Sequence, residues 1–213
     1  MSNRWVWPGL ALLVGSGACS REALDELCPG VAPGGLVVTE VRGDQSGEDA
    51  YGEWLEIYNG SGRAVDLEGL EIVLRRVDGG ATGTILIRDT VPLDTGDYAV
   101  IGRFAPGDTA PGHIDYGYTL PCEESSSGCD PKWLDTRFYN AAAVDLIACG
   151  QLIDRAIYRD LPSRGSWSYD GARPLTAEGN DDEAAWCIDA TEDEDTPTMG
   201  HRGTPGEENI PCG

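Results

Sequence analysis

Two glutamates in one apolar segment, GEWLEIYNG (52–60), are the residues of this chain most suggestive of acid–base chemistry. A general acid and a general base must converge on one substrate atom. The composition of the segment predicts a β-strand, in which successive side chains point to opposite faces, so Glu53 and Glu56 should face opposite sides of a sheet. They are not expected to cooperate directly, although Glu40 on the preceding strand could meet either of them.

These carboxylates are interpreted as structural groups that accept backbone N–H bonds or pair with arginine at the rim of a sheet. The alternative is a site for a divalent cation or a ligand, formed by the same three glutamates. Acidic loops at 43–49, 180–183 and 191–195 offer the oxygen ligands that calcium prefers. No D-x-[DN]-x-[DN]-G loop occurs, however, and charge runs usually form solvated surface. Calcium is therefore the only cofactor left open.

Motifs of the common enzyme classes are missing from the sequence. There is no G-x-S-x-G, no H-E-x-x-H and no glycine-rich turn for phosphate. The chain has two histidines, His113 and His201, and it lacks the C-x-x-C spacing of a zinc site. We therefore expect a protein that is not an enzyme.

One tryptophan is a candidate for stacking on a sugar ring. Trp133, in DPKWLD, falls in a predicted loop and is expected to be exposed, and exposed aromatic faces are common in glycan sites. Three further tryptophans could contribute to such a platform but are expected in core packing instead: Trp54, Trp167 and Trp186.

The charge of the chain argues against a nucleic-acid partner. It has 37 acidic residues and 15 basic ones, which gives a formal net charge of −22. Nucleic-acid binding depends on Lys and Arg side chains that neutralise phosphates, and the sequence shows no basic patch. The expected partners are a membrane, reached through a lipid anchor, and an envelope protein or a glycan.

The first residues, MSNRWVWPGLALLVGSGACS, have the organisation of a secretion signal. One positive charge precedes an apolar stretch, 5–14, which is too short to span a membrane. The small residues before Cys19 resemble a bacterial lipobox, in which the chain is cut before the cysteine and the thiol carries a diacylglycerol. Ser16 stands where most lipoboxes have leucine, so an ordinary secreted protein cut nearby is the alternative.

This organisation divides the chain into a signal peptide (1–18), a tether (19–35) and one domain (36–213). The tether is polar at first and then rich in Pro and Gly, and its 16 residues from Ser20 to Gly35 reach about 50 Å when fully extended. The expected location is the cell envelope, at the outer membrane or the cell surface, with secretion as the alternative.

Seven cysteines become an even number when Cys19 carries the lipid, which favours three disulfides in an oxidising compartment. Cys122 and Cys129 enclose the polar loop CEESSSGC and are expected to pair. Sequence alone does not select the pairing of the other four. The preferred scheme joins Cys149 with Cys187 and Cys28 with Cys212, and the alternative joins Cys28 with Cys187 and Cys149 with Cys212.

From Leu36 onward, short apolar or alternating runs are separated by Gly, Pro, Asn and Asp, which predicts about ten β-strands and an all-β sandwich. An insertion is expected at about 117–140, carrying its own disulfide. The predicted strands are 36–41, 53–59, 69–77, 84–89, 97–102, 113–118, 143–149, 151–158, 166–170 and 185–189.

Several motifs occur in a fixed order along the chain. They are TEV (39–41), GEWLEIYN (52–59), VDLEG (65–69), LIACGQLIDRAIY (146–158), SWSYD (166–170), AAWC (184–187) and GTPGEEN (203–209). Together they resemble the lamin tail domain as it occurs in bacterial exported proteins. The resemblance implies an immunoglobulin-like β-sandwich, a fold that hosts many functions and fixes none.

The expected function is that of a cell-envelope lipoprotein whose lamin-tail-like domain is a non-catalytic module for binding or adhesion. Three alternatives are kept: an accessory domain of envelope hydrolysis, a calcium-binding surface module, and a purely structural envelope protein without a ligand.

Overall fold

The computed structural model describes residues 27–47, 49, 51–103, 111–118, 138–192 and 201–213. Within these ranges the chain is built almost entirely of β-strands packed as sheets, so the predicted all-β sandwich is confirmed. In the same ranges, no helix has the length and apolar character needed to cross a membrane.

Each of the ten predicted strands has a counterpart in the structure, displaced by a few residues at its ends. Two further strands, β3 and β6, have two residues each and are too short to show alternation in the sequence. The strands are β1 (Leu36–Arg42), β2 (Trp54–Asn59), β3 (Val65–Asp66), β4 (Glu71–Arg76), β5 (Thr82–Leu86), β6 (Pro92–Leu93), β7 (Tyr98–Arg103), β8 (Tyr116–Tyr118), β9 (Ala142–Ala148), β10 (Gln151–Tyr158), β11 (Ser166–Tyr169) and β12 (Trp186–Asp189). One short helix, α1 (Ala177–Asn180), and a 3-10 turn (Glu183–Ala185) precede β12.

The strands form a six-stranded sheet in the order β12-β11-β1-β2-β7-β8 and a four-stranded sheet in the order β10-β9-β4-β5. Strands β3 and β6 pair as a separate ribbon. The core contains alternate residues of both sheets, such as Leu55 and Ile57 from β2 and Ile72 and Leu74 from β4, all completely buried. This is the two-layer packing that the alternation of apolar residues requires.

A β-bulge in β1 determines which of its residues reach the core. Val38 pairs with Ile57 and Glu40 pairs with Glu56, so Thr39 is the extra residue of the strand. In a regular strand, Val38 and Val41 would point to opposite faces, but both belong to the core. The bulge therefore reverses the alternation and sends Glu40 to the outer face.

Two disulfides lie within the described residues, and they correct the predicted pairing. Cys28 is joined to Cys149 with 5.4 Å between Cα atoms, and Cys187 to Cys212 with 5.8 Å. Both predicted schemes, Cys149 with Cys187 and Cys28 with Cys212, or Cys28 with Cys187 and Cys149 with Cys212, are wrong. The reason is that Cys149 sits at the β9–β10 turn of one sheet, whereas Cys187 lies on the edge strand β12 of the other.

Cys149 therefore pairs with Cys28 in the segment before β1, and Cys187 pairs with Cys212 in the C-terminal segment. Cys122 and Cys129 lie outside the described residues, so their pairing stays a prediction, as does the insertion that carries them.

The segment 28–35 belongs to the domain, which shortens the tether predicted over 19–35. Val31 is buried in the core, the Gly34 N–H donates to the Ile153 carbonyl at 2.7 Å, and Cys28 is held by its disulfide. The domain therefore includes Cys28, eight residues before the first predicted strand.

Candidate functional site

The outer face of the six-stranded sheet is covered by the C-terminal segment, 201–213. The Asn209 side-chain amide donates to the Thr39 and Tyr169 carbonyls at 2.9 Å each, which fastens the segment across β1 and β11. Beneath it, Trp54 is completely buried although it points away from the core between the sheets. This face carries Glu40 and Glu56, two of the three glutamates that the sequence singled out.

Glu40 and Glu56 meet on this face because they are directly opposite each other on β1 and β2. The Ser166 hydroxyl donates to Glu40 Oε1, and the Thr204 N–H donates to the same oxygen at 3.3 Å. Both glutamates are completely buried. The pairing that the sequence left open is thus between Glu40 and Glu56.

Glu56 accepts hydrogen bonds from the chain with both of its oxygens. The Thr39 hydroxyl donates to Oε1 and the Gly206 N–H donates to Oε2, each at 2.7 Å. Glu56 therefore ties the bulge of β1 to the C-terminal segment and accepts a backbone amide, one of the two structural roles expected for it.

Asp189 is the third carboxylate of this cluster. Thr204 Oγ1 lies 3.1 Å from Asp189 Oδ2 and 3.3 Å from Glu40 Oε2. A hydroxyl has one hydrogen to donate, so it can serve only one of these oxygens as a donor. Asn209 Oδ1 is a third acceptor at 3.3 Å from the same hydroxyl. A carboxyl group that carries a proton fits this crowding of acceptors, because it can donate to Thr204 instead of competing for its hydrogen.

Burial determines the protonation of the glutamates. It raises the pKa of Glu40 to about 8, with repulsion from Asp189 adding to the effect and the hydrogen bond from Ser166 opposing it. Burial, followed by repulsion from Glu40, raises the pKa of Glu56 well above its ordinary value. At neutral pH the cluster therefore retains protons, which removes most of the repulsion between adjacent carboxylates.

Two glycines allow the C-terminal segment to approach this cluster. Gly203 and Gly206 have φ angles of 75° and 82°, in the left-handed region that favours glycine. A Cβ atom on Gly203 would overlap Glu40 Oε1 and the Ser166 hydroxyl. The GTPG sequence is thus explained by the close passage of backbone over buried carboxylates.

The arrangement holds the chain together and offers no carboxylate to a substrate in solution. A proton-sharing carboxyl pair can act as an acid and a base only where a substrate atom can reach it. Here the oxygens of Glu40 and Glu56 face donors of the chain itself, and both side chains have no exposed surface.

Glu53 lies apart from this cluster. It precedes β2 and pairs with Arg103, with 3.5 Å between Oε1 and Nη1, at the partly exposed end of β7. This is the arginine pairing at a sheet rim that the sequence predicted. Leu55 and Ile57 face the core while Glu56 faces outward, which confirms the predicted alternation along β2.

An open cleft of about 510 Å³ lies beside the covered cluster. His113 Nε2 lies 3.1 Å from the Tyr51 carbonyl, which can only accept, so this nitrogen carries the hydrogen. Burial lowers the pKa of His113, and the ring is therefore neutral at pH 7. The polar and aromatic side chains that line the cleft are Tyr51, Tyr98, His113, Asp115, Arg202 and Glu207.

Sequence reasoning missed this cleft because its residues come from four separate segments, one of which contributes Tyr98 of β7. Tyr51 precedes β2, His113 precedes β8, and Arg202 belongs to the C-terminal segment. The GTPG motif was the available signal, since its Gly206 connects the rim of the cleft to Glu56.

Another buried carboxylate lies at the junction of the two sheets. Asp154 Oδ2 accepts from the Val38 N–H and from the Asn180 side chain, both at 2.7 Å, and Asn180 also donates to the Val38 carbonyl at 3.0 Å. Burial raises the pKa of Asp154 to about 6. Asp154 and Asn180 thus hydrogen-bond the backbone of β1 at Val38, on the side of the strand where the pairing with β11 does not extend.

The acidic loops are engaged in ion pairs and caps where the structure describes them. Asp49 pairs with Arg42 at 2.7 Å, and Asp182 caps the 3-10 turn through the Ala184 N–H at 3.0 Å. Among the described residues, no three His, Cys, Asp or Glu side chains are grouped to hold a metal ion. Cys19 and Trp133 lie outside those residues.

The predicted packing of the other tryptophans is largely confirmed. Trp54 and Trp186 are buried, and Trp167 is partly buried against the core. The family models searched include none that matches the chain, and no curated protein matches its sequence.

Proposed function

We propose that this protein is a lipid-anchored component of the cell envelope whose lamin-tail-like domain binds a ligand without catalysis. The cleft beside His113 is the proposed ligand site. It combines neutral imidazole, tyrosine rings and the Arg202 guanidinium with Asp115 and Glu207, a set of groups suited to a polar ligand such as a glycan or a peptide segment.

The observation that carries this proposal is that buried carboxylates and an open cleft lie next to each other on one face of the six-stranded sheet. The carboxylates Glu40 and Glu56 are covered and engaged with the C-terminal segment, whereas the adjacent cleft remains open. A fixed framework beneath an open, polar cleft favours recognition over turnover.

The cellular setting is supported by three features of the chain. The two disulfides in the described part of the chain support an oxidising compartment. The secretion signal and the lipobox-like residues before Cys19 support export and acylation. The ordered motifs from residue 39 to residue 209 support the resemblance to the lamin tail domain, which is a fold without a fixed function.

The ligand proposal is tested with purified envelope fractions. Wild-type protein, an Arg202→Ala/Tyr98→Ala variant and a matched control, Arg164→Ala/Tyr139→Ala, are incubated with cell-wall sacculi and with detergent-solubilised envelope. We expect one component to be retained by the wild type and the control but lost with the cleft variant. Equal retention by all three would refute the cleft as the site, and turnover of phosphodiester or glycan substrates would refute the non-catalytic role.

The anchor is tested separately by labelling with a radioactive fatty acid. The wild type should take up the label and fractionate with membranes, and Cys19→Ala should do neither. Membrane fractionation of Cys19→Ala without any label on the wild type would show that the anchor is assigned wrongly.

A further inference from the structure

The outer face of the four-stranded sheet combines arginine with exposed aliphatic side chains. Neighbouring strands place Arg75, Ala143 and Ile157 in one row across the sheet. Arg155 and Asp145 form the next row. These side chains surround a shallow depression of about 370 Å³ that also includes Val77 and Arg159. We call this surface the arginine face.

The arginine face includes large aliphatic side chains that are exposed to solvent. Six large hydrophobic side chains of the described residues are exposed, and two of them line this depression, Val77 at 47% and Ile157 at 38%. Leu152, which is 43% exposed, lies on the same outer face at the β9–β10 end of the sheet. A bulge between Leu152 and Asp154 reverses the alternation of β10, so that residues before and after it face outward together. Clustered exposed aliphatic groups mark a contact surface.

The charge of this face differs from that of the whole chain. Four arginines line the depression, Arg75, Arg76, Arg155 and Arg159. Three carboxylates pair with them, Asp145, Asp78 and Glu183, which leaves a surplus of one positive charge on a protein of net charge −22. The expectation that the chain has no local basic patch is therefore corrected: arginines from β4 and β10, distant in sequence, meet across β9.

The arginines of this face have N–H groups available for a further acceptor. Arg75 and Arg155 share the buried Asp145 at 2.6 Å each, but their own side chains are 42% and 39% exposed, and a guanidinium has five N–H donors. Arg159 pairs with Glu183 at 3.1 Å, and both side chains are more than half exposed. Because this exposed ion pair is weak in water, a phosphate oxygen can replace Glu183 at little cost.

The position of the N-terminal segment relates this face to a membrane. The disulfide from Cys28 to Cys149 holds Cys28 at the β9–β10 turn, which is one end of the same sheet. Eight residues connect Cys19 to Cys28, and the nine steps from one cysteine to the other reach about 30 Å when extended. An acyl chain on Cys19 would therefore hold the end of this sheet close to the bilayer.

We propose that the arginine face docks on the anionic phospholipid headgroups of the bilayer that anchors the protein. This inference rests on the proposed acylation of Cys19. Arginine guanidinium groups bind the phosphates, while Val77, Leu152 and Ile157 enter the boundary between headgroups and acyl chains. Aliphatic side chains contribute little to sugar recognition, so these residues favour a lipid surface over a glycan.

Docking is measured by the quenching of an added tryptophan. Acylated protein carrying Ile157→Trp or Val77→Trp is reconstituted in vesicles of equimolar phosphatidylglycerol and phosphatidylethanolamine with brominated acyl chains. The matched control is Ile188→Trp, since Ile188 is 55% exposed on β12 of the other sheet. We expect a loss of fluorescence, beyond that of the wild type, for the first two variants and none for the control. Equal quenching of all three would overturn the docking proposal.

The role of charge is measured in the Ile157→Trp background. Adding Arg75→Gln with Arg159→Gln should remove most of the quenching, as should replacing the vesicles with brominated phosphatidylcholine. The control pair is Arg164→Gln with Arg173→Gln, from the loops that flank β11, and it should leave the quenching unchanged. Quenching that survives both changes would overturn the headgroup assignment.

Two further results distinguish membrane docking from a polysaccharide site and from the lipid anchor itself. Binding of soluble alginate that depends on Arg75 and Arg159, with no quenching by bilayers, would show an acidic polysaccharide site and overturn the proposal. Fatty-acid labelling of the same samples reports the anchor by itself. A labelled, vesicle-bound protein without quenching contradicts docking alone, whereas an unlabelled protein contradicts the proposed anchor.

Discussion

At the scale of single residues, the buried glutamates stabilise the domain in a way that depends on pH. The pKa of Glu40 is raised to about 8 in the folded chain from an ordinary value of 4.5, so the folded state binds more protons than the unfolded state between these limits. A raised pKa contributes stability that is complete below the unfolded value and is lost as the pH rises through the folded value. Folding also raises the pKa of Asp154, to about 6, so its contribution to stability is likewise lost as the pH rises through that value.

The first prediction is that unfolding becomes easier as the pH rises from 5 to 8, because Glu40 must ionise beside Asp189. Each such group changes the free energy of unfolding by at most about 1.4 kcal/mol per pH unit. Thermal unfolding of Glu40→Gln should show a smaller slope in this range than the wild type. Glu71→Gln, at an exposed position of β4, is the control and should keep the wild-type slope. Identical slopes in all three proteins would contradict the assignment.

The second prediction concerns Glu56, which should matter for stability and not for metal binding. Glu56→Ala leaves the completely buried Thr39 hydroxyl without its acceptor, and a buried unsatisfied donor costs about 1–3 kcal/mol. Glu56→Gln should cost less, because the amide resembles the protonated carboxyl. Calcium titration followed by thermal unfolding is the check. If calcium stabilises the wild type and not Glu56→Gln, the residue forms a cation site instead.

At the scale of the elements, the C-terminal segment behaves as a strap across the six-stranded sheet. It contributes no long strand, and its attachment depends on individual side chains: Asn209 on two carbonyls, Thr204 on two carboxyls, and Gly206 on Glu56. Its passage over Glu40 requires a residue without a Cβ atom at Gly203.

The third prediction compares two glycines that have the same φ angle of 75°, Gly203 and Gly79. A Cβ atom on Gly79 meets no atom within 4 Å, so Gly79→Ala should cost about 1–2 kcal/mol for its backbone conformation alone. Gly203→Ala should cost a further 1–3 kcal/mol or so, because the methyl group displaces Glu40 or Ser166. Urea unfolding of both variants measures the difference, and equal losses would contradict the close contact.

The elements also show where sequence reasoning succeeds and where it stops. Ten strands follow from apolar alternation, which is a local property, and the opposite faces of Leu55 and Glu56 follow from the same rule. The bulge at Thr39 was not predicted, although the burial of both Val38 and Val41 required it. The meeting of Glu40 with Thr204 and Asp189 depends on chain segments that are about 150 residues apart, a distance at which no sequence spacing carries information.

At the scale of the whole molecule, two disulfides fasten the two ends of the domain. Cys28 and Cys149 are 121 residues apart, and Cys187 and Cys212 are 25 residues apart. The first secures the segment that contributes Val31 to the core, and the second secures the C-terminal segment over the carboxylate cluster. Each terminus is therefore joined to a different sheet.

The fourth prediction ranks these bonds by the length of the loop that they close. In the chain-entropy model, Cys28→Ala/Cys149→Ala should cost about 5 kcal/mol and Cys187→Ala/Cys212→Ala about 3.5 kcal/mol. Denaturant unfolding of the two double variants gives the comparison, and peptide mapping without reduction verifies the two pairs and tests Cys122 with Cys129. A linkage between Cys149 and Cys187 would contradict the observed pairing.

The junction of Asp154 and Asn180 with Val38 has a further consequence for how copies of this protein meet. A strand with free N–H and C=O groups along one side can recruit the strand of another molecule and start aggregation. Val38 lies on the part of β1 that β11 does not reach, yet its N–H and C=O groups are bonded by the two side chains. These side chains occupy the groups that an incoming strand would need, so this edge resists intermolecular strand addition even at high protein concentration.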